Sequence, residues 1–397
     1  MRQPHKAPGT DGCFDSALIL SPFFWNFRDD IPGTTHYIAA ELARVVPTIL
    51  VEPIPRWDVR SEQFRMERFF RGVAGRRTSN VASQLTVFHR RALPFGRLSL
   101  VRNWDLRRNA RAIRRVLSPL NFRRTLLWHS FPYWSEPLVD SLDHVAMVYH
   151  CLDFTTRLEE CRLVRRADTV FAVSEALVRK LTPLNPRVHH LPNGVDLDLF
   201  DSQRVLREPR PADLPSGVRL IGFVGKINRY LDIDLFLKVA EAFPRDMVVV
   251  VGSLTTNETA PSGTQMGELR ALESLPNVRL LGFRPASAVP AYVQAFDVCL
   301  IPYLSDPFNL ERDPLKFYEY FAMGKSVVTT AVPVAERYRE LCYLARSHPD
   351  FISQVGHALD QPGAPGVGDE RMAVARAHGW RALVRGALAT VCGEEAR

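Results

Sequence analysis

The chain has 397 residues, 46% hydrophobic and 24% charged, with 29 Pro and 22 Gly scattered without period. That is more chain than one core accommodates and suits two domains, and it excludes fibrous, disordered and bilayer-spanning classes, whose apolar runs would need ~20 residues. Net charge is +8, but Arg56 to Arg124 holds 18 Arg, no Lys and four acids, leaving +14 there and −6 elsewhere. Part of one domain is therefore built to sit near negative charge. The six cysteines show no zinc-knuckle or dithiol spacing and read as free thiols. The N-terminus lacks a basic region followed by an apolar core, so a cytoplasmic protein is expected.

In chain order, short apolar runs alternate with segments of helical period. Strands are expected at Ala17–Leu20, Thr48–Val51, Leu85–Phe88, Thr125–Trp128, Ala146–Tyr149, Thr169–Val173 and Val188–Leu191. Helices are expected between them at Thr34–Arg44, Asp105–Val116, Glu160–Arg166 and Glu175–Leu184. The pattern then restarts, with strands at Leu220–Val224, Met247–Val251, Val278–Leu281, Val298–Leu300 and Ser326–Thr330. Helices Asp232–Phe243, Gly267–Glu273, Ala288–Ala295 and Leu315–Met323 interleave with them. The economical reading is α/β: two doubly wound, parallel-sheet, Rossmann-like domains, 1–198 and 199–368, joined by a polar linker near Asp198–Pro211. A Pro/Gly-rich break at Gln361–Gly368 precedes a helical stripe over Glu370–Val391, so 369–397 is expected to cross back onto the first domain.

The segment Asn309–Val328, NLERDPLKFYEYFAMGKSVV, carries two acids, Glu311 and Glu319, separated by seven residues. Glu311 lies on the loop leaving one strand and Glu319 in the helix after it, where ligands of open α/β sheets bind. Pro314 and Leu315 form the helix entrance, and if Asp313 caps it, the first amides face a space that suits a diphosphate. Two Asp-x-Asp pairs, Asp196/Asp198 and Asp232/Asp234, read as caps or solvated acids rather than as a metal site.

These residues resemble the retaining nucleotide-sugar glycosyltransferases of the GT-B fold. The likeness rests on Glu-x7-Glu running into Tyr-Phe-Ala-Met-Gly-Lys-Ser-Val-Val, on Arg284-Pro285 through Tyr292, on Phe296-Asp297-Val298, on Arg166 through Ser174, and on Pro192-Asn193-Gly194-Val195-Asp196. It covers about Val148 to Trp380 and is nearest to bacterial enzymes of capsular, teichuronic-type or other exopolysaccharide synthesis. It implies a donor site in the second domain, an acceptor site in the first and a cleft between. Glu311 would then hold the hexose hydroxyls and Glu319 the ribose, while backbone groups at Phe283 and Arg284 read the base of a UDP- or GDP-sugar. Gly225 and Lys226 match the loop where a cation meets the diphosphate. A second family cation is missing, Leu231 standing near its place, and Arg229 or Lys316 is expected to supply the charge. The resemblance implies no metal and no cofactor.

On the acceptor side, Asp153 follows the strand Ala146–Tyr149 and is a candidate base, with the leaving phosphate as the alternative; His150 and His129 at adjacent strand ends are competitors and acceptor contacts. Trp25 and Asn26, on the loop after the first strand, are expected to touch the acceptor. The arginine-rich stretch interleaves Phe69, Phe70, Phe95 and Trp104, which suits the anionic inner face of a membrane and a glycan or lipid-linked acceptor. Two other readings are a sugar-nucleotide epimerase of the same architecture, disfavoured by the paired acids, and a basic polyanion- or nucleic-acid-binding protein, for which no motif is present.

Overall fold

The computed structural model describes residues 13–23, 25, 33–53, 78–90, 99–118, 123–130, 136–153, 158–255, 259–361 and 366–394. The chain divides into two units, one ending at Leu191 but taking in Arg381–Arg397, the other Pro192–Trp380. The divisions thus fall at 191/192 and 380/381, against the expected 198/199 and 368/369.

The first unit is built on strands β1 (Ser16–Leu20), β2 (Thr48–Val51), β3 (Thr78–Ala82), β4 (Leu85–Phe88), β5 (Thr125–Ser130), β6 (Ala146–Cys151), β7 (Thr169–Ala172) and β8 (Val188–His190). Their order is β3-β4-β2-β1-β5-β6-β7-β8, parallel except for the antiparallel edge pair β3/β4. Helices α1 (Thr34–Leu42), α2 (Ser99–Leu117), α3 (Glu136–Val139), α4 (Leu158–Arg166) and α5 (Glu175–Leu181) are the connections described. Fully buried runs such as Ser16–Leu20 and Thr48–Val51 are what a sheet covered on both faces requires. β3 escapes the apolar-run criterion because it is a polar edge strand, four of its five residues being exposed. Helix α2 begins six residues before its expected start at Asp105.

The second unit contains β9 (Leu220–Val224), β10 (Met247–Val251), β11 (Val278–Gly282), β12 (Val298–Ile301), β13 (Ser326–Thr330) and β14 (Tyr343–Ala345), in the order β11-β10-β9-β12-β13-β14 and all parallel. Its helices are α6 (Ser202–Val205), α7 (Ile233–Ala242), α8 (Gly263–Glu273), α9 (Val289–Ala295), α10 (Leu315–Ala322), α11 (Pro333–Arg337), α12 (His348–Asp360) and α13 (Val367–Ala377). Chain order leaves β9 in one direction for β10 and β11, then resumes on its other side at β12. The carboxyl ends of β9 and β12 therefore flank the switch point of this sheet, where a crevice opens.

Two expectations fail at the junctions. The polar segment after Asp198 is not a free linker: Asp201 caps α6, and Phe200 and Val205 are buried in the second unit's core. The carboxy-terminal stripe is two helices rather than one, since α13 stops at Ala377 and α14 (Trp380–Cys392) starts after it. The break exists because Gly379 pairs with Val195 in a parallel bridge, and a Cβ there would meet the Leu197 side chain at 2.7 Å. Helix α14 goes with the first unit, where Arg381 pairs with Glu41 of α1 at 3.6 Å.

Candidate functional site

At the end of β9 the chain turns through Gly225 (φ 148°), which lies against Gly252 (φ 154°) at the end of β10. A Cβ on Gly252 would stand 1.8 Å from the Gly225 carbonyl oxygen, so only a glycine pair lets the two turns touch. The cavity here is lined by Gly225, Lys226, Gly252, Ser253, Phe283 and Arg284 among others, uniting two pairs of predicted donor residues. Phe283 is exposed, whereas the Arg284 guanidinium is committed to Asp213 at 2.6 Å and to the Tyr292 hydroxyl at 2.9 Å. That side chain is a strut, and it donates as well to the carbonyls of Leu281 and Phe283.

Across the switch point, Lys316 in the first turn of α10 reaches back to the same glycine. Its Nζ would be 3.0 Å from a Cβ on Gly225, donates to the Tyr303 hydroxyl at 2.8 Å, and lies 4.8 Å from the Phe223 ring centroid. Glu319, one turn on, is half-buried, and burial pushes its carboxyl up to about 7 against the opposing pull of Lys316. Glu311 sits half-buried on the 3₁₀ turn Asn309–Glu311. Pro314 holds the N-cap position of α10 and Leu315 opens the helix, with no side-chain cap.

Asp313 does not cap α10. Its carboxylate accepts the Asn193 amide at 2.6 Å and the Tyr318 hydroxyl at 3.1 Å, while the Asn193 side chain donates back to the Asp313 carbonyl at 2.5 Å. This reciprocal clasp fastens the Pro192–Asp196 motif to the entrance of α10. Burial lifts the Asp313 carboxyl to about 7 in spite of those donors. On the turn before it, buried Asn309 donates to the carbonyls of Tyr230 and Leu304, lacing the loop that bears Glu311 onto the loop after β9. Sequence reasoning missed Asn309, Tyr303 and Arg312, because their roles arise only where two distant loops meet.

Arg229 is exposed and stacks on its neighbour Tyr230 at 5.1 Å. Leu231 is buried and bridged to Tyr303, so its place is apolar in fact as well as in sequence. Asp232 caps α7 through Leu235. Asp232 and Asp234 gather with His348, but the Lys238 ammonium pairs with Asp234 and lies 3.1 Å from His348 Nδ1, so a side-chain cation already sits in that cluster. Asp196 accepts the amides of Asp198 and Leu199.

In the first unit, Asp153 is half-buried just beyond the carboxyl end of β6. His129 and His150 lie on β5 and β6 with zero exposure and no hydrogen-bond partner for either ring among the described residues. Burial drives both down to about 3, so they are neutral at physiological pH. As the fold stands they are enclosed, not exposed acceptor contacts. The Trp25 amide donates to Glu52 at 2.8 Å, and Glu52 also accepts from His89, tying together the ends of β1, β2 and β4. Asn26, residues 54–77 and residues 91–98, including Phe69, Phe70 and Phe95, lie outside the described residues. On α2, Leu106, Ala110 and Ile113 are buried, while Trp104, Arg107, Arg111, Arg114 and Arg115 are exposed.

Residues 218–361 match the family described as Glycosyl transferases group 1. A Bacillus subtilis protein named for teichuronic acid biosynthesis, the glycosyltransferase TuaH, is 29% identical over 68% of this chain and 75% of its own. A D-inositol 3-phosphate glycosyltransferase of Mycobacteroides abscessus is 26% identical over 64% of this chain and 59% of its own. Among solved structures, sucrose-phosphate synthase of Thermosynechococcus elongatus superposes with a TM-score of 0.69 at 15% identity, over 93% of this chain and 96% of that one. Anabaena HepE in complex with UDP-glucose superposes with a TM-score of 0.62 at 14% identity, over 94% and 98%. The fold, the matched domain and the relatives agree with the resemblance in fold and enzyme class, and the chain is a glycosyltransferase of the GT-B fold.

Proposed function

We propose that the protein transfers a sugar with retention from a nucleotide-sugar, a UDP- or GDP-sugar, to a glycan or lipid-linked acceptor of the bacterial cell surface. The observation that carries this reading is the meeting of Gly225, Lys226 and Lys316 at the switch point of the second sheet, with half-buried Glu319 one helical turn beyond Lys316. Breaking the anomeric C–O bond builds positive charge on the sugar and negative charge on the departing diphosphate, and cations aimed at that diphosphate lower the barrier. Lys226 and Lys316 supply such charge, so no step is assigned to a metal. Glu319 accepts the ribose hydroxyls, Glu311 the hexose hydroxyls, and the backbone at Phe283 and Arg284 meets the base. Asp153 or the leaving phosphate takes the acceptor proton.

The relative named for teichuronic acid biosynthesis favours a cell-surface glycan acceptor. The exposed face of α2, four Arg around Trp104, suits peripheral attachment to anionic lipid on the cytoplasmic side. Among the described residues no helix is long and apolar enough to cross a membrane. The direct test is a panel of UDP-, GDP-, ADP- and dTDP-sugars read by thermal shift, then by transfer to membrane lipid extracts with the anomeric configuration determined. One donor is expected to raise the melting temperature and to label an acceptor; inertness across the panel, or an inverted product, contradicts the proposal.

A further inference from the structure

The loop after β9, the turn before α10 and the first turn of α10 carry four cations, Lys226, Arg229, Arg312 and Lys316, none with a carboxylate at ion-pair distance among the described residues. Positive charge without an ion-pair partner is what an anionic ligand resolves. Arg312 is the most constrained of the four. Its guanidinium lies 5.0 Å from the Phe308 ring, 5.6 Å from Tyr303 and 5.7 Å from Tyr230, and the rings of Tyr230 and Phe308 stack at 4.3 Å. Three aromatic faces hold the group without consuming its N–H donors, none of which reaches an acceptor among the described residues.

Tyr303 completes the arrangement. It follows β12 at the switch point, is buried, and its hydroxyl oxygen accepts a hydrogen bond from Lys316 while its own O–H meets no described acceptor. Burial alone would raise the Tyr303 hydroxyl above its ordinary value, yet Lys316 and Arg312 together bring it below. Arg312 and Lys316 thus both lie against the Tyr303 ring, with the Arg312 N–H groups and the Tyr303 O–H meeting no acceptor among the described residues.

We propose that Arg312 and Tyr303 act with Lys316 as the group that binds the diphosphate of a nucleoside diphosphate, the ring-held Arg312 being its second cation. The inference rests on the donor-site reading above and adds two binding residues to it. A guanidinium held among aromatic rings is suited to two phosphate oxygens at once, which an ammonium is not.

The test is calorimetric titration of the full chain with UDP, GDP, inorganic pyrophosphate and the parent nucleosides, at two salt concentrations. Arg312→Ala and Tyr303→Phe are compared with wild type, Arg312→Lys and Glu319→Gln, with melting curves as folding controls. Arg312→Ala is expected to weaken the preferred nucleoside diphosphate tenfold or more, to weaken pyrophosphate similarly and to flatten the salt dependence, leaving the nucleoside unaffected. Arg312→Lys should recover part of the loss, and Tyr303→Phe should weaken the diphosphate about threefold or more. Wild-type diphosphate affinity and salt slope in Arg312→Ala and Tyr303→Phe overturn the inference; if Glu319→Gln still weakens the nucleoside in that case, the donor-site reading survives. No nucleotide binding by wild type overturns both.

Discussion

Glu319 illustrates what a side chain's identity conveys and what its surroundings add. Its helix position and its distance from Glu311 are legible in sequence, but its ionisation is set by packing, which lifts the carboxyl to about 7. A carboxylate accepts two ribose hydroxyls better than a carboxylic acid does, so nucleotide affinity should rise as pH passes from 6 to 8 and Glu319 loses its proton. In Glu319→Gln the affinity should be lower by about 1–3 kcal/mol at pH 8 and nearly level with pH, as fluorescence titration can measure. An unaltered pH profile in that variant removes Glu319 from nucleotide binding. Arg312 shows the reverse case: in the one-dimensional string it is one of 45 arginines, and only the approach of Tyr230, Tyr303 and Phe308 distinguishes it.

Among the elements, buried strands were the most legible. Leu220–Val224, Met247–Val251 and Ser326–Thr330 coincide with their expected bounds because parallel strands covered on both faces must be continuous apolar runs. Polar β3, three-residue β14 and the break at Gly379 were hidden, since each is imposed by a neighbour rather than by local pattern. The Asn193–Asp313 clasp is of the same kind and predicts a pH signature. The Asp313 carboxyl stands at about 7 in the fold against an ordinary 3.8, so the folded state binds its proton more tightly than the unfolded chain. Its contribution to stability is therefore full below about 4 and is lost as pH rises through 7. Asp313→Asn, which cannot titrate, should lack that decline between about pH 4 and 7 in denaturant melts; a variant with the wild-type slope would place the proton elsewhere. Asn193→Ala should cost about 1–3 kcal/mol by leaving the Asp313 carbonyl without its donor.

At the scale of the molecule, charge is segregated: the arginine-rich region belongs to the first unit, and the candidate donor site belongs to the second. Reversing Arg107, Arg111 and Arg115 to Glu on the exposed face of α2 should release the protein from vesicles containing anionic lipid at physiological salt, with neutral vesicles as the control. Equal sedimentation of the variant would leave α2 without a membrane role. Two doubly wound α/β units could be read from the repeat of strand and helix, with GT-B added by the resemblance, but the residues expected to touch an acceptor were poorly legible because loops carry little periodicity. The most direct measurement is hydrogen–deuterium exchange of the full chain with and without the nucleotide-sugar that gives the largest thermal shift. A donor seated at the second unit's switch point slows exchange in Val224–Leu231 and Tyr303–Glu319, whereas protection confined to the first unit, or none in those two segments, contradicts it.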